Sequence, residues 1–105
     1  MEPTEVYERR GHVEILDVRD SHEWEAGRID GARHLPMREV PAHLSGLPLD
    51  RTIVAVCRSG NRSGKVAEYL RANGFSAENL DGGLKQWAKA GLPILTNDAR
   101  PGRAV

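Results

Sequence analysis

The stretch that most restricts the fold is an apolar run, Thr52–Val56, which leads into a short loop and then into a helical pattern. The run is apolar on both faces, which is typical of a strand that helices cover on both sides of a parallel sheet. After the loop, Val66, Ala67 and Leu70 recur at the spacing of one helix face. They predict a helix over Ser63–Asn73, so this part of the chain has the strand–helix order of an α/β fold.

Segments of the same two kinds alternate along the rest of the chain. Predicted strands cover Val13–Val18, Ala32–Leu35 and Phe75–Leu80, and predicted helices cover Thr4–Gly11, His22–Ala26, Met37–Leu44 (a weak pattern that contains Pro41) and Leu84–Ala90. This alternation predicts a single α/β domain over residues 1–105, with a mostly parallel central sheet flanked by helices on both faces. The last residues, about 97–105, are predicted to form a loose C-terminal tail.

Composition and charge argue against several classes of protein. The formal net charge is zero and the arginines are scattered, so nothing indicates a nucleic-acid or anionic-membrane partner. No apolar stretch approaches the roughly 20 residues that span a bilayer, and the first residues do not form a signal-peptide pattern. With one cysteine, an internal disulfide is impossible. We therefore expect a reducing, cytoplasmic location, with an intermolecular disulfide as the alternative.

The cysteine, Cys57, lies where the apolar strand ends, and ligands of open α/β sheets bind beyond the carboxyl ends of the strands. Gly60 and Asn61 tolerate unusual backbone angles, so the loop can curl until several N–H groups point inward. The helix that follows adds its own unpaired N–H groups. Together with Arg58 and Arg62, such a loop is expected to lower the pKa of the thiol and to hold an anion.

A second interpretation of Cys57 is a packing residue. Free cysteine is among the most buried residue types and usually behaves as a small apolar side chain. A packing cysteine does not need a Gly-Asn-Arg sequence behind it, which favours the reactive thiolate. From the residues alone, both interpretations stay open.

Other motifs fail on their spacing. Gly60–Val66 resembles a nucleotide-binding P-loop, but it is one residue short between the glycines and has Val66 where Ser or Thr binds magnesium. His22–Ala26 begins like a zinc-protease helix, but Ala26 occupies the position of the second histidine. The histidines show no metal-ligand spacing with Cys57, so no metal site is predicted.

Four segments of the chain, taken in order, match the motifs of a known family. They are Asp17-Val18-Arg19 followed by Glu23-Trp24, then Gly27–Pro36, then the loop Cys57–Ser63, and finally Leu80–Trp87. Together they resemble the motifs of single-domain rhodaneses, which are sulfurtransferases. Two departures are visible: Arg28 stands where the family often has histidine, and the short segment before Val13 implies that a first edge strand is missing or replaced by a helix.

The resemblance implies a small α/β domain and a ping-pong reaction at Cys57. The thiolate would take the outer sulfur of a donor such as thiosulfate, hold it as a persulfide and pass it to a nucleophilic acceptor. Cyanide is the usual acceptor in vitro, and a thiol or a protein is expected in the cell. No metal or organic cofactor is implied, because sulfur itself is transferred.

The resemblance also implies which residues support the reaction. The persulfide would lie among the backbone N–H groups of Arg58, Ser59, Gly60, Asn61, Arg62 and Ser63. The side chains of Arg58 and Arg62 would attract the anionic donor. Asp17 and Arg19 are expected to support the site as a buried ion pair that holds a loop.

Two other functions stay open. Phosphatases and arsenate reductases of the same fold carry Cys-x5-Arg, whereas here the arginine comes one residue earlier, at Arg62, and the shorter loop fits a sulfur atom better. Arsenate reduction would also need an external thiol. Non-catalytic binding modules of this family usually lose the cysteine, which this chain keeps. A monomer is expected.

Overall fold

The core of the protein is a four-stranded sheet in the order β2-β1-β3-β4. The computed structural model describes all residues from 1 to 105. The strands are β1 (Glu14–Asp17), β2 (Arg33–His34), β3 (Ile53–Val56) and β4 (Ala77–Asn79). Every neighbouring pair is parallel. Each observed strand lies within its predicted range, and the predicted parallel sheet is confirmed.

Four α-helices connect or flank these strands. They are α1 (Pro3–Glu8), α2 (Ser21–Ala26), α3 (Asn61–Ala72) and α4 (Gly83–Lys89). The weak helix predicted over Met37–Leu44 is a 3₁₀ helix over Met37–Gly46 with a kink at His43. Pro41 lies inside it and has no N–H group to continue an α-helical ladder. No helix is long and apolar enough to cross a bilayer.

Strand β3 separates two apolar clusters. Ile53 and Ala55 belong to the cluster beneath α3 and the 3₁₀ segment. Val54 and Val56 belong to the cluster beneath α1 and α4. Successive side chains of a strand point to opposite faces, so a run that is apolar at every position needs cover on both sides. The predicted arrangement, with helices on both faces of the sheet, is confirmed.

The N-terminal segment forms α1 and not an edge strand. Val6 is fully buried against the sheet, and Tyr7 meets the Trp87 ring edge-on with 6.0 Å between ring centroids. This helix therefore packs beside α4 and closes one face of the core. The expectation that a helix replaces the first edge strand agrees with this structure.

The C-terminal segment packs against the domain, in contrast to the loose tail predicted over residues 97–105. The Gly102 N–H group donates to the Ile94 carbonyl at 2.8 Å, and the Arg103 N–H group donates to the Ala26 carbonyl at 2.8 Å. Ala26 is remote from Arg103 in sequence, so the local polar composition of the tail contains no sign of this contact.

Gly83 determines how closely α4 approaches the segment that contains the cysteine. Its φ is +63°, and a Cβ atom there would lie 2.5 Å from the Arg58 carbonyl oxygen and 2.6 Å from that of Cys57. The same two carbonyls accept hydrogen bonds from the first turn of α4. The Leu84 N–H group donates to Cys57 at 2.9 Å, and the Lys85 N–H group donates to Arg58 at 3.0 Å. The start of α4 thus supports the loop from behind.

We expect Gly83→Ala to lower the free energy of unfolding more than Gly74→Ala. Gly74 also has a positive φ, +89°, but a Cβ atom there meets nothing within 4 Å. Its substitution should cost about 1 kcal/mol in backbone strain alone. At Gly83 the overlap with backbone should add about 1–3 kcal/mol. Urea unfolding of both variants measures the difference, and equal losses would contradict the proposed close approach.

Candidate active site

The sulfur of Cys57 lies among hydrogen-bond donors of the chain that follows β3. The Gly60 N–H group donates to Sγ at 3.1 Å and the Ser63 N–H group at 3.4 Å. The Ser63 hydroxyl oxygen lies 3.2 Å from the same sulfur. Cys57 is only 1% exposed, yet its sulfur faces these polar groups. The inward curl of the loop that the sequence predicts is therefore present.

The backbone at Gly60 produces this curl. Gly60 has φ +99°, a left-handed backbone conformation that residues other than glycine rarely adopt. It directly precedes α3. Asn61, for which the sequence predicts an unusual loop conformation, is instead the first residue of α3. The helix therefore begins two residues before the predicted start at Ser63. Since the first N–H groups of a helix have no partner within it, the Ser63 N–H group is free to face the sulfur.

These donors lower the pKa of the Cys57 thiol below its ordinary value. Burial raises the pKa, but the hydrogen bonds from the Ser63 hydroxyl and from the N–H groups of Ser63, Gly60 and Ser59 outweigh it. Hydrogen bonds that point at the sulfur stabilise its charged form. The thiolate, which is the nucleophilic form of cysteine, is thus favoured at this position.

An ion pair between Arg62 and Glu23 lies beside the loop. The two terminal nitrogens of Arg62 donate to the two carboxylate oxygens of Glu23 at 2.8 and 3.0 Å. Glu23 also accepts a hydrogen bond from the Asp20 N–H group at 3.0 Å. The hydrogen bond from Arg62 holds the pKa of Glu23 down at about 2, and the carboxylate in turn raises the pKa of Arg62. Much of the positive charge of Arg62 is therefore balanced within the chain.

Arg58 is the other predicted cation of the loop, and its side chain is exposed without an ion pair in the chain. Ser59 beside it is exposed as well. The N–H groups of Arg58, Asn61 and Arg62 do not hydrogen-bond to the sulfur in this structure. Among the predicted donors, the N–H groups of Gly60 and Ser63 therefore contact the sulfur, whereas those of Arg58, Asn61 and Arg62 do not.

Asp17 and Arg19 form a buried ion pair that does not contact the sulfur. Arg19 is 0% exposed and Asp17 1%, with 2.8 Å between Nη2 and Oδ2. The remaining guanidinium hydrogens go to the carbonyls of Gly27 at 2.6 Å, Glu23 at 3.2 Å and Val105 at 2.8 Å. The pair therefore ties the end of β1 to a carbonyl within α2, to the residue that follows α2 and to the C-terminal segment. This geometry suits the predicted supporting role.

Asn79 is a residue of the site that the sequence reasoning missed. Its Nδ2 group donates to the Gly60 carbonyl at 3.0 Å, and its Oδ1 atom lies 2.6 Å from the Ser63 hydroxyl oxygen. In the sequence it falls inside an ordinary predicted strand. The signal that was available is a polar residue at the carboxyl end of a parallel strand, next to the strand that carries Cys57.

No group of three or more His, Cys, Asp or Glu side chains is placed to hold a metal ion. The chemistry available at the site is that of a stabilised thiolate, an exposed arginine at the loop and a set of N–H and O–H donors. Such a set suits a nucleophile that receives and releases an anionic group.

Comparisons with known proteins point to one family. A family model described as a rhodanese-like domain matches residues 2–90. A sulfurtransferase from Allochromatium vinosum is 42% identical over 84 residues, which are 79% of this chain and 78% of that protein. The thiosulfate sulfurtransferase GlpE from Pseudomonas putida is 39% identical over 88% of this chain and 83% of its own. A rhodanese-related protein from Thermoplasma volcanium superimposes with a TM-score of 0.86 at 27% identity, over 90% of this chain and 95% of its own.

We expect Glu23→Gln to reduce the free energy of unfolding in a pH-dependent way. The folded-state pKa of Glu23 is about 2 and its ordinary value is 4.5, so its ion pair stabilises the fold fully above pH 4.5. That contribution declines as the pH falls toward 2. Near pH 6 the variant should lose about 1–2 kcal/mol, because solvent partly screens Arg62.

Urea unfolding between pH 2 and pH 7 measures this difference. Glu25→Gln is the matched control, since Glu25 is an exposed carboxylate on the same helix without an ion pair. A loss in Glu23→Gln that stays constant over the whole pH range would contradict the assigned pKa.

Proposed function

This chain belongs to the rhodanese-like domain family, and we propose that it transfers a sulfane sulfur through a persulfide on Cys57. The donor is an anion such as thiosulfate, and the acceptor is a nucleophile: cyanide in vitro, a thiol or a protein in the cell. The observation that carries the proposal is the ring of donors around Sγ, at 3.1 Å from Gly60 and 3.2–3.4 Å from Ser63. The sulfurtransferase names of the relatives support the same reaction class.

In the first half-reaction the Cys57 thiolate attacks the outer sulfur of the donor. A sulfur–sulfur bond forms to Cys57 while the sulfur–sulfur bond of thiosulfate breaks, and its electron pair leaves with sulfite. Sγ becomes neutral, and the terminal sulfur of the persulfide keeps the negative charge that it carried as the outer sulfur of thiosulfate. The inward N–H groups of the loop are oriented before the reaction, so they stabilise this anion without reorganising.

In the second half-reaction the acceptor attacks the terminal sulfur. The persulfide bond breaks and its electron pair returns to Sγ, which is again a thiolate. The donors of Gly60 and Ser63 that lower the pKa of the thiol also make this sulfur a better leaving group. One set of hydrogen bonds thereby serves both half-reactions.

Arg58 supplies most of the long-range attraction for the donor in this proposal. Its guanidinium is exposed and unpaired, whereas Arg62 is bound to Glu23 at both terminal nitrogens. Exposed charges raise the local concentration of an oppositely charged substrate, and salt screens this effect. A reducing, cytoplasmic compartment suits the activity, because it keeps the single cysteine free. The reaction needs no metal or organic cofactor, and a monomer contains every group it uses.

We expect Cys57→Ser to abolish thiosulfate:cyanide sulfurtransfer, because a serine hydroxyl does not ionise at neutral pH and forms no persulfide. Intact-mass spectrometry after adding thiosulfate should show one added sulfur atom on the native protein and none on the variant. Ser59→Ala is the control, since the Ser59 side chain is exposed and makes no hydrogen bond to the sulfur. Full activity in Cys57→Ser would refute the proposed reaction.

We expect Arg58→Ala to raise the KM for thiosulfate roughly twofold to fivefold, the effect of one exposed charge pair. Arg62→Ala should also raise KM and, in addition, lower stability, because it leaves the Glu23 carboxylate without its partner. Arg51→Ala removes an equal charge at the opposite, amino-terminal edge of the sheet and serves as the control. Steady-state kinetics at low salt test this expectation. An unchanged KM in both loop variants would show that these side chains do not attract the donor.

A further inference from the structure

The Ser63 hydroxyl has two acceptors and one hydrogen. Its oxygen lies 2.6 Å from Asn79 Oδ1 and 3.2 Å from Cys57 Sγ. A serine hydroxyl donates one hydrogen bond, so it serves only one of these two atoms at a time. The orientation of the Asn79 amide follows from the Gly60 carbonyl, which only accepts and therefore faces Nδ2, at 3.0 Å. Oδ1 is left to face the hydroxyl.

The charge on the sulfur decides which acceptor the hydroxyl serves. A hydrogen bond to an anion is about twice as strong as one to a neutral acceptor. When Sγ is a thiolate, the Ser63 hydroxyl donates to it. When Sγ is neutral, as a thiol or as the inner sulfur of a persulfide, the shorter contact to Asn79 Oδ1 prevails.

We propose that Asn79 is a positioning residue that holds the Ser63 hydroxyl while Sγ is neutral and releases it to Sγ as charge develops there. This inference rests on the proposed sulfur transfer, because that reaction gives Sγ its negative charge when the persulfide bond breaks. The hydroxyl rotates about its C–O bond, and no proton is transferred between residues. Asn79 has a second task, since Nδ2 anchors Gly60, whose N–H group is the nearest backbone donor to the sulfur.

The other charged groups around Cys57 are fixed by partners or exposed to solvent. On α3, the guanidinium of Arg62 interacts electrostatically with the thiolate. The same guanidinium forms an ion pair with Glu23 of α2. From β1, Asp17 is closed in its pair with Arg19. The charged side chains that follow in the loop and in α4, and those that flank Asn79, are exposed: Arg58, Lys85, Glu78 and Asp81. Substitutions at Asn79 leave all of them in place.

The test compares Asn79→Leu with Asn79→Asp. Both variants keep the approximate size of the side chain and lose the Nδ2 donor to Gly60, but they differ in the acceptor that faces Ser63. Leucine offers no acceptor, so the hydroxyl is left to the sulfur and the thiolate is favoured. Aspartate offers a charged acceptor, which holds the hydroxyl away from the sulfur and disfavours the thiolate.

The measurement is the rate of Cys57 alkylation by iodoacetamide as a function of pH. Below the midpoint of the wild-type titration, Asn79→Leu should react roughly threefold to fivefold faster, corresponding to about one hydrogen bond. Asn79→Asp should react more slowly by at least as much. Asn79→Ala should deviate in the same direction as leucine but less, because water can replace the lost acceptor. Changes in the same direction for leucine and aspartate would reduce Asn79 to a structural anchor and overturn the proposal.

A second set of variants shows whether the effect passes through the hydroxyl. In a Ser63→Ala background, the acceleration by Asn79→Leu should vanish, and Asn79→Asp should retain only the direct repulsion of its charge. An acceleration that survives in this background contradicts the proposal. Asn73→Leu is the control for a general effect of replacing asparagine by leucine. Asn73 is exposed, and its side-chain amide donates only to the Tyr69 carbonyl.

Alkylation does not require sulfur transfer, so the two proposals fail separately. The expected alkylation pattern without a persulfide after thiosulfate addition would leave the role of Asn79 intact and refute the proposed function. A persulfide without the alkylation pattern would do the reverse. Where the persulfide does form, Asn79→Asp should slow its transfer to cyanide more than its formation, because the hydroxyl is then withheld when charge returns to Sγ.

Discussion

The hydrogen bonds to the Cys57 sulfur depend on the left-handed turn at Gly60. A thiol at the end of an apolar strand is driven toward its neutral form by burial, and only donors aimed at the sulfur reverse that tendency. Gly60 brings its own N–H group to 3.1 Å and starts α3 so that the first turn of that helix faces the sulfur. The rest of the domain holds this turn in place: α4 from behind through Gly83, and β4 from the side through Asn79.

The parallel sheet explains why the functional groups meet. The connections after β1, β3 and β4 all emerge at the carboxyl edge, and each contributes to the same small volume. Glu23 comes from the helix after β1, the cysteine loop follows β3, and Asn79 ends β4. The sheet thereby assembles three features from segments that are far apart in the chain. They are the thiolate nucleophile, the arginine whose charge is balanced by Glu23, and the Ser63 hydroxyl between its two acceptors.

The two ion pairs near the site have different roles: Asp17–Arg19 holds the supporting structure together, and Glu23–Arg62 lies beside the reactive loop. The Asp17–Arg19 pair is fully buried, and its remaining donors bond three backbone carbonyls, so it carries no free charge toward the sulfur. A buried pair of this kind is costly to break, because removal of one partner leaves an unpaired charge. The Glu23–Arg62 pair is only partly buried and lies next to the loop, where Arg62 interacts electrostatically with the thiolate. Arg58 is left as the cation of the loop that faces solvent without a partner.

The sequence by itself determined the order of elements, the parallel sheet and the place of the cysteine, because hydrophobic period and glycine positions act over a few neighbouring residues. Only the tertiary structure decided that Asn61 is helical, that the tail packs on the domain and that Arg62 is bound by Glu23. Asn79 also became part of the site only there. The Ser63–Asn79 and Glu23–Arg62 contacts join residues 16 and 39 positions apart, and the contact between Arg103 and Ala26 spans a still longer stretch of chain. Such pairings depend on how the strands are aligned in space, which no local pattern of residues encodes.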